Sequence, residues 1–188
     1  MSEASACAGP IPSVEMCLSF LAEENVPNKI IDHCMAVEHL ALKIAMRITK
    51  DKETLALISR GALLHDIGRS KDHGISHAVI GADILRKRGL DGRIILIVER
   101  HISAGIDAAE AEETGLPVRD YIPLTLAEKI VAHADTLITE KNRAPARWSV
   151  RDAIARERGK GFESSALKIE KLHAELSQLA GIDLDEII

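Results

Sequence analysis

The sequence predicts an all-α fold, a compact bundle of helices, and three observations support this prediction. Apolar residues recur at the i, i+3, i+4, i+7 spacing of an amphipathic helix along nearly the whole chain. Aromatic residues make up only 2% of the composition, whereas strands are enriched in aromatic and β-branched side chains. No segment alternates apolar and polar residues as a half-buried strand does, and the apolar run 94–98 is continued by helical spacing on both sides.

Capping residues divide the first part of the chain into three helices. Ser13 is expected to cap a first helix that ends at Glu24, because a Ser side chain accepts hydrogen bonds from the free N–H groups of a first turn. Asn28 is expected to cap a longer second helix, and Asp51 a third. The apolar stripes of the second and third helices carry Val37, Leu40, Ala41, Ile44, Ala45 and Ile48, and then Leu55, Ile58 and Ala62.

Glycine, proline and further capping residues mark the remaining elements. A loop is expected around Gly68 and Gly74. Pro123 fits the first turn of a strong helix, and residues 142–147, with Pro145 among them, are expected to form a break. The predicted helices of this part span 76–88, 91–101, 108–114, 123–138, 149–157 and 163–179.

The length of 188 residues predicts one domain, since a domain typically holds about 100–200 residues. Residues 1–12 contain small residues, Gly and Pro, and are expected to be a flexible N-terminus. Residues 13–188 are expected to form the single domain, with a core at 28–140 and C-terminal helices at 149–180.

The composition disfavours several classes of function. The formal net charge is −5 and the pI is about 5.9, whereas a protein that binds a long nucleic acid usually presents a basic face. No apolar run approaches the roughly 20 residues of a membrane span. The cysteines Cys7, Cys17 and Cys34 are odd in number, form no C-x-x-C motif and follow no secretory signal, so we expect reduced thiols and a cytoplasmic protein.

Four ionisable residues lie where a helical bundle would bury them. Asp135 is on the apolar stripe of the predicted helix 123–138, and an ionised carboxylate there is costly unless it is paired or bound to a cation. His33 lies one turn before the apolar stripe of the second helix, and the adjacent His65 and Asp66 end the stripe of the third. Side chains from separate helices of a bundle can converge on one point and form a metal site.

Histidine nitrogens and carboxylate oxygens together suit Mn²⁺, Fe²⁺, Co²⁺, Ni²⁺ or Zn²⁺ and tolerate Mg²⁺, so the residue types do not distinguish among these metals. One or two divalent metal ions are expected, because the two oxygens of Asp66 could reach neighbouring ions. Two further histidines could hold the second ion: His77, which opens a predicted helix, and His101, which closes one.

The pattern of His33, His65-Asp66 and Asp135 resembles the HD superfamily of metal-dependent phosphohydrolases. Four segments, LLHDIGRSK, HAVIGADIL, VERH and AEKIVAHADTL, are similar to the dinuclear subgroup that includes the HD-GYP phosphodiesterases and the YqeK-like diadenosine-polyphosphate hydrolases. The resemblance extends over residues 30–137 and implies a helical bundle of the HD-domain type. The chain resembles a stand-alone prokaryotic HD protein more than it resembles a signalling fusion protein.

The resemblance implies hydrolysis at phosphorus by a metal-activated water, with Asp66 as a catalytic residue. Arg69 and Lys71, just after the His-Asp pair, are the first candidates for contacts with phosphate. The weaker candidates are Arg100, Lys141, Arg143 and Arg147. The implied metal ligands are His33, His65, Asp66 and Asp135 for a first ion, and His77 and His101 for a second.

Two departures from the HD-GYP pattern disfavour hydrolysis of a cyclic dinucleotide. Ile102 stands where that pattern has a second histidine directly after the one at position 101. The GYP tripeptide is also missing, and the nearest stretch is 113–117. The predicted substrate is therefore a nucleotide or another small phosphorylated molecule, and neither a membrane nor a long nucleic acid is expected as a partner.

Two alternatives stay open, and a homo-oligomer is compatible with the sequence. A di-iron HD oxygenase could use the same His and Asp set, and a non-catalytic module could bind a nucleotide or a structural metal. His133 is two residues from Asp135, on another face of the helix, and is expected to be structural. The charges in 151–160 are expected to form a solvated face. Surface or satisfied core positions are expected for His39, His73 and His173.

Overall fold

Local hydrogen bonds set four of the predicted helix starts. The computed structural model describes residues 9–141 and 144–187. A capping side chain accepts a backbone N–H of the following turn and so satisfies one of the donors that a helix start leaves free, which contributes about 1 kcal/mol. The capping residues that were predicted and that make this hydrogen bond are Ser13, Asp51, Asp91 and Ser149.

The all-α prediction is confirmed, with one small hairpin added. Among the described residues, no helix combines the length and the apolar character that a membrane span needs. Short 3₁₀ turns lie at Ile67–Ser70 and Leu184–Glu186. The other elements of the described ranges are α1 (Val14–Glu23), α2 (Asn28–Ile48), α3 (Lys52–Leu64), α4 (His77–Lys87), α5 (Gly92–Glu99), α6 (Ala108–Glu113), α7 (Leu126–Leu137), β1 (Ile138–Lys141), β2 (Ala144–Arg147), α8 (Val150–Gly159) and α9 (Glu163–Ala180).

Two helices begin differently from the prediction. Asn28 is the first residue of α2 rather than its cap, since Pro27 occupies the cap position and no side chain bonds to the first turn. Helix α7 begins at Leu126 rather than in the turn that holds Pro123, because Thr125 accepts a hydrogen bond from the first turn.

The break expected at 142–147 is in large part an antiparallel hairpin, so the expectation that no strand would form is wrong. Strand β1 follows α7 without a gap and pairs with β2, with Ile138 opposite Arg147. Both strands contact α2. Strands this short offer too few positions for alternation to be read from the sequence. Arg143 and the side chain of Lys141, two weaker phosphate candidates, lie outside the described part of the chain.

One large buried cluster joins helices from both ends of the chain. Its members are mainly aliphatic, as the low aromatic content predicts, and burying one Leu or Ile side chain contributes about 1.5–3 kcal/mol. Helix α2 packs against α3 and α7, and α9 packs against α7 and α8. The large side chains of this cluster with almost no exposed surface include Leu21, Ile44, Ile58, Leu85, Ile97, Ile130, Ile169 and Leu176.

A close backbone contact places the His65-Asp66 pair beside α4. Gly68, in the 3₁₀ turn after the pair, faces the backbone of α4. A Cβ atom at Gly68 would overlap the carbonyl oxygen of His77 and lie 2.7 Å from the backbone nitrogen of Gly81. Glycine is therefore required here because it has no Cβ, which allows two backbones to approach.

We expect Gly68→Ala to lower the free energy of unfolding by about 1–3 kcal/mol, because the backbone of α4 would have to move to admit the methyl group. Gly159→Ala, at the end of α8, is the matched control. An added Cβ there meets nothing within 4 Å, so this substitution should stabilise the protein by about 0.4–1 kcal/mol. Urea unfolding followed by circular dichroism measures both effects. Wild-type stability in Gly68→Ala would contradict the close contact.

Candidate metal centre

Side chains with metal-binding chemistry meet where five helices and a 3₁₀ turn converge. The ends of α3 and α5, the start of α4 and one face each of α2 and α7 bring together the six residues predicted as ligands: His33, His65, Asp66, His77, His101 and Asp135. Four of them are buried, whereas the side chains of His33 and Asp135 are 22% and 21% exposed. The cluster is thus closed on its inner side and open at these two residues.

The open side of the cluster is built around Asp135. Its Oδ1 atom lies 2.9 Å from His33 Nε2 and 3.4 Å from His65 Nε2. The Nε2 atom of His65 also lies 3.6 Å from Asp66 Oδ2. These four side chains offer two imidazole nitrogens and two carboxylates to one point.

The inner side of the cluster is built around the other oxygen of Asp66. Its Oδ1 atom lies 3.0 Å from His77 Nε2 and 3.6 Å from His101 Nε2. Ligand atoms of Asp66, His77 and His101 all lie within 4.8 Å of one another, as do those of His33, His65 and Asp66. Asp66 is therefore shared between two neighbouring groups of potential ligands, with one oxygen directed to each.

Three of the histidines are oriented by hydrogen bonds within their own turns. The Nδ1 atoms of His65, His77 and His101 each bond to the carbonyl oxygen three residues earlier in the chain. A carbonyl oxygen only accepts, so each Nδ1 carries a proton and each Nε2 is directed into the cluster. Metal-ligating histidines are held in this way in general.

The nitrogen and oxygen atoms of the cluster are arranged as ligands that could hold a metal ion. The Nε2 atoms of His77 and His101 lie 3.0 Å apart, and with both Nδ1 atoms protonated, two lone pairs face each other. Burial, together with the neighbouring His65 and His77, lowers the pKa of His101 to about 3, so His101 is neutral and carries no proton on Nε2. In the described residues, the buried atoms His65 Nε2 and Asp66 Oδ1 have no hydrogen-bond partner. This donor set fits divalent metal ions.

Electrostatics keep both carboxylates ionised. Burial alone would raise the pKa of Asp66, but His65 and the contact with His77 at 3.0 Å outweigh it and hold that pKa well below its usual range. The pKa of Asp135 is likewise lowered, against burial, by His65 and His33. Conversely, Asp66 and Asp135 raise the pKa of His65 despite its burial. Without a bound metal ion, a proton on His65 offsets part of the negative charge of the two carboxylates.

The structure separates the two leading phosphate candidates. Arg69 donates its Nε–H to Asp66 Oδ2 at 2.6 Å and lines a cleft that opens over the cluster. Lys71 pairs instead with Glu24 at 3.3 Å and does not line this cleft. The expectation for Lys71 is therefore corrected, because the 3₁₀ turn directs the two side chains to different partners.

The two weaker candidates whose side chains the structure describes, Arg100 and Arg147, have partners away from the cluster. Arg100 donates to the buried carboxylate of Glu128 at 3.0 Å and so anchors the start of α7. The guanidinium of Arg147 donates to the carbonyl oxygens of Leu184 and Ile187 and holds the C-terminal segment. Neither arginine lines the cleft.

The cleft over the cluster has a volume of about 450 Å³. Its polar lining includes three cations that the sequence analysis did not assign to a site: Lys29 of α2, Arg156 of α8 and Lys160 just after α8. Arg156 and Lys160, whose charges were expected to form a solvated face, are 30% and 52% exposed and also border this cleft. No sequence signal marks them, since they lie far from the His-Asp pair along the chain.

His133 is buried and lies outside the cluster, as expected for a structural residue. Its Nε2 atom lies 3.3 Å from Nδ1 of His173, whose Nε2 lies 3.1 Å from Oδ1 of Asp183. Burial, with the nearby charge of His173, lowers the pKa of His133 to about 3, so it is neutral. His173 thus has partners in two elements and ties α7 to the segment after α9.

Comparison with known proteins gives relatives and a family. A tRNA (cytidine(56)-2′-O)-methyltransferase of Picrophilus torridus is 45% identical over 177 residues, which cover 94% of this chain and 50% of that protein. The chain thus spans about half the length of this relative. An uncharacterized protein of Methanocaldococcus jannaschii is 54% identical over 123 residues, which cover 64% of this chain and 70% of that protein.

The fold also matches a solved structure. The HD domain of the phosphodiesterase PgpH of L. monocytogenes, solved in complex with cyclic-di-AMP, aligns with a TM-score of 0.52 at 18% identity. The alignment covers 88% of this chain and 96% of that one. At this identity the likeness shows the shared fold alone. The family model for the HD domain matches residues 30–140, more than half of the chain, and the chain therefore belongs to the HD-domain family.

Proposed function

We propose that this protein is a metal-dependent phosphohydrolase that cleaves a phosphate ester of a nucleotide or of another small phosphorylated molecule. The observation that carries the proposal is the arrangement of Asp66, with one oxygen directed to each of two histidine groups beneath an open cleft. Membership of the HD-domain family supports it.

His33, His65, Asp66 and Asp135 would hold one divalent ion, and Asp66, His77 and His101 a second. Bound there, divalent ions would lower the pKa of a water molecule toward about 7 and offset charge on the phosphoryl oxygens. The ligand types leave Mn²⁺, Fe²⁺, Co²⁺, Ni²⁺, Zn²⁺ and Mg²⁺ open.

The protein's own residues have distinct tasks in this proposal. The carbonyl-bound imidazoles are fixed before substrate arrives, so no reorganisation is needed at the reacting phosphate. Arg69 fixes Asp66 through its Nε atom, and Arg69 Nη1 donates to the backbone oxygen of His73. Arg69 lines the cleft, and its Nη2 atom, which makes no hydrogen bond to a described residue, would donate to a phosphate oxygen.

A nucleotide is the first candidate substrate. The cleft volume of about 450 Å³ lies in the usual range of small-molecule sites. A phosphate within RNA is the second candidate, favoured by the relative named as a tRNA methyltransferase, although that name describes a protein twice as long. Hydrolysis of mononucleotides, dinucleotides and short oligoribonucleotides, measured as released phosphate or as shortened product, separates the two.

Elemental analysis should find about two divalent ions per chain in the purified protein. We expect about one in His101→Ala, because that substitution removes one of three ligands of the inner group and leaves the outer group intact. His39→Ala, an exposed histidine outside the cluster, is the matched control and should keep two. One ion in both wild type and His101→Ala would assign a single-metal centre. Iron with substrate-dependent oxygen consumption would favour the oxygenase alternative.

Asp66→Asn should lower kcat/KM by at least about 100-fold, because one carboxylate charge is lost from both ligand groups at once. Phosphate release from a nucleotide panel measures the effect, and circular dichroism checks the fold. Asp83→Asn, whose carboxylate is 57% exposed and pairs with Arg86, is the control and should retain wild-type activity. Full activity in Asp66→Asn would refute the proposed function.

Arg69→Gln should lower kcat/KM by about 10–100-fold, since a charge-assisted hydrogen bond contributes about 1.5–3 kcal/mol. Lys71→Gln should stay within about threefold of wild type, because the Lys71 ion pair with Glu24 is at the surface. The two variants change the same charge two positions apart. Equal losses in both would mean that net charge, rather than the contact at the cleft, matters.

A further inference from the structure

The cleft has a wall that lies outside the HD-domain match. That match ends at residue 140, whereas Pro145 of β2 and the end of α8 also line the cleft. The residues of α8 and its C-cap in this wall are Arg156, Glu157 and Lys160. The residues of the metal centre thus lie within the HD-domain match, whereas the residues of this wall follow it in the chain.

Ion pairs with Glu157 hold two positively charged side chains of the wall in place. Glu157 is only 9% exposed, and its Oε1 atom accepts from Arg156 Nε at 2.9 Å and lies 3.2 Å from Lys160 Nζ. Lys29, at the start of α2, also lines the cleft and has no ion-pair partner among the described residues. Even counting Asp32, which lines the cleft as well, these three cations and two acids leave a formal charge of +1.

Arg156 is pre-oriented for an anion. Its guanidinium carbon lies 5.0 Å from the centre of the Trp148 ring, so the group is held by the ring on one side and by Glu157 through Nε. Its two terminal nitrogens make no hydrogen bond to a described residue. A fixed guanidinium fork with free donors matches the geometry of a phosphate group.

We propose that Arg156, Lys160 and Lys29 bind a second phosphate group of the substrate, while the metal centre holds the phosphate that is hydrolysed. The substrate class is then a nucleotide with two separate phosphates, as in a nucleoside 3′,5′-bisphosphate, rather than a monophosphate. This inference rests on the proposed function and deepens it. Ile102, Ile138 and Pro145 offer apolar surface in the same cleft for the ribose and base.

The first test measures binding without turnover. Trp148 is the only tryptophan in the sequence, so its fluorescence reports on a ligand at Arg156. In EDTA, adenosine 3′,5′-bisphosphate should bind roughly tenfold tighter than AMP, the size of one charge-assisted contact. Lys160→Ala and Lys29→Ala should each remove most of that difference. Arg158→Ala is the matched control, because Arg158 lies on the same helix but pairs with Glu163 and does not line the cleft.

The second test measures turnover by the metal-loaded protein. Lys160→Ala should raise KM for the bisphosphate by roughly tenfold with little change in kcat, and should raise KM for AMP by much less. Equal affinity of the wild type for the two nucleotides, an unresponsive Trp148, or a preference that survives in Lys160→Ala would overturn the inference. If no substrate is hydrolysed with any divalent metal, the proposed function fails, and the titration in EDTA still decides whether the wall binds a second phosphate.

Discussion

A buried carboxylate shared by two groups of histidines is the constraint on which the rest of the structure depends. Asp66 is 2% exposed, and its Oδ1 lies 3.0 Å from His77 Nε2 while its Oδ2 accepts from Arg69. Removing an ionised carboxylate from water costs several kcal/mol unless positive charge offsets the loss. The ends of α3, α4 and α5 converge on this residue, and their imidazoles together with the guanidinium of Arg69 surround it.

The geometry of the centre is fixed in two steps, one local and one tertiary. The imidazoles of His65, His77 and His101 are each oriented by a carbonyl oxygen of their own turn. This local hydrogen bond sets the direction of Nε2 within the turn. The backbone contact of Gly68 with α4 then sets the distance between the His65-Asp66 pair and His77. Because both steps are complete in the protein alone, the ligand atoms face one another across short distances, and a bound cation stabilises the folded state.

In the two proposals, the chemistry and the choice of substrate belong to different parts of the chain. The ligand cluster lies within the HD-domain match, whereas the hairpin and α8 beyond residue 140 complete the cleft. Side chains at the centre are fixed by burial and hydrogen bonds, so their replacement acts on the reaction itself. Side chains of the wall, such as Arg156, border the cleft but do not belong to the ligand cluster. Their replacement would leave the proposed metal ligands unchanged. Proposals about the substrate must therefore be argued from the wall.

The sequence by itself determined the helical class, the capping residues Ser13 and Asp51, and the identity of the six cluster residues. The helical class and the caps depend on neighbours in the chain, and His33, His65, Asp66 and Asp135 lie on or at the end of an apolar stripe, so these features can be read from local spacing. The ligand roles of His77 and His101 were implied by the resemblance to the HD superfamily. Only the tertiary structure decided that Arg69 turns to Asp66 whereas Lys71 turns to Glu24. The β1–β2 hairpin, the contact of His133 with His173 and the basic wall of α8 were likewise decided there. The physical reason is that these features depend on how helices and strands pack against one another, and several of them join residues far apart in the chain, so that no local pattern fixes their energies.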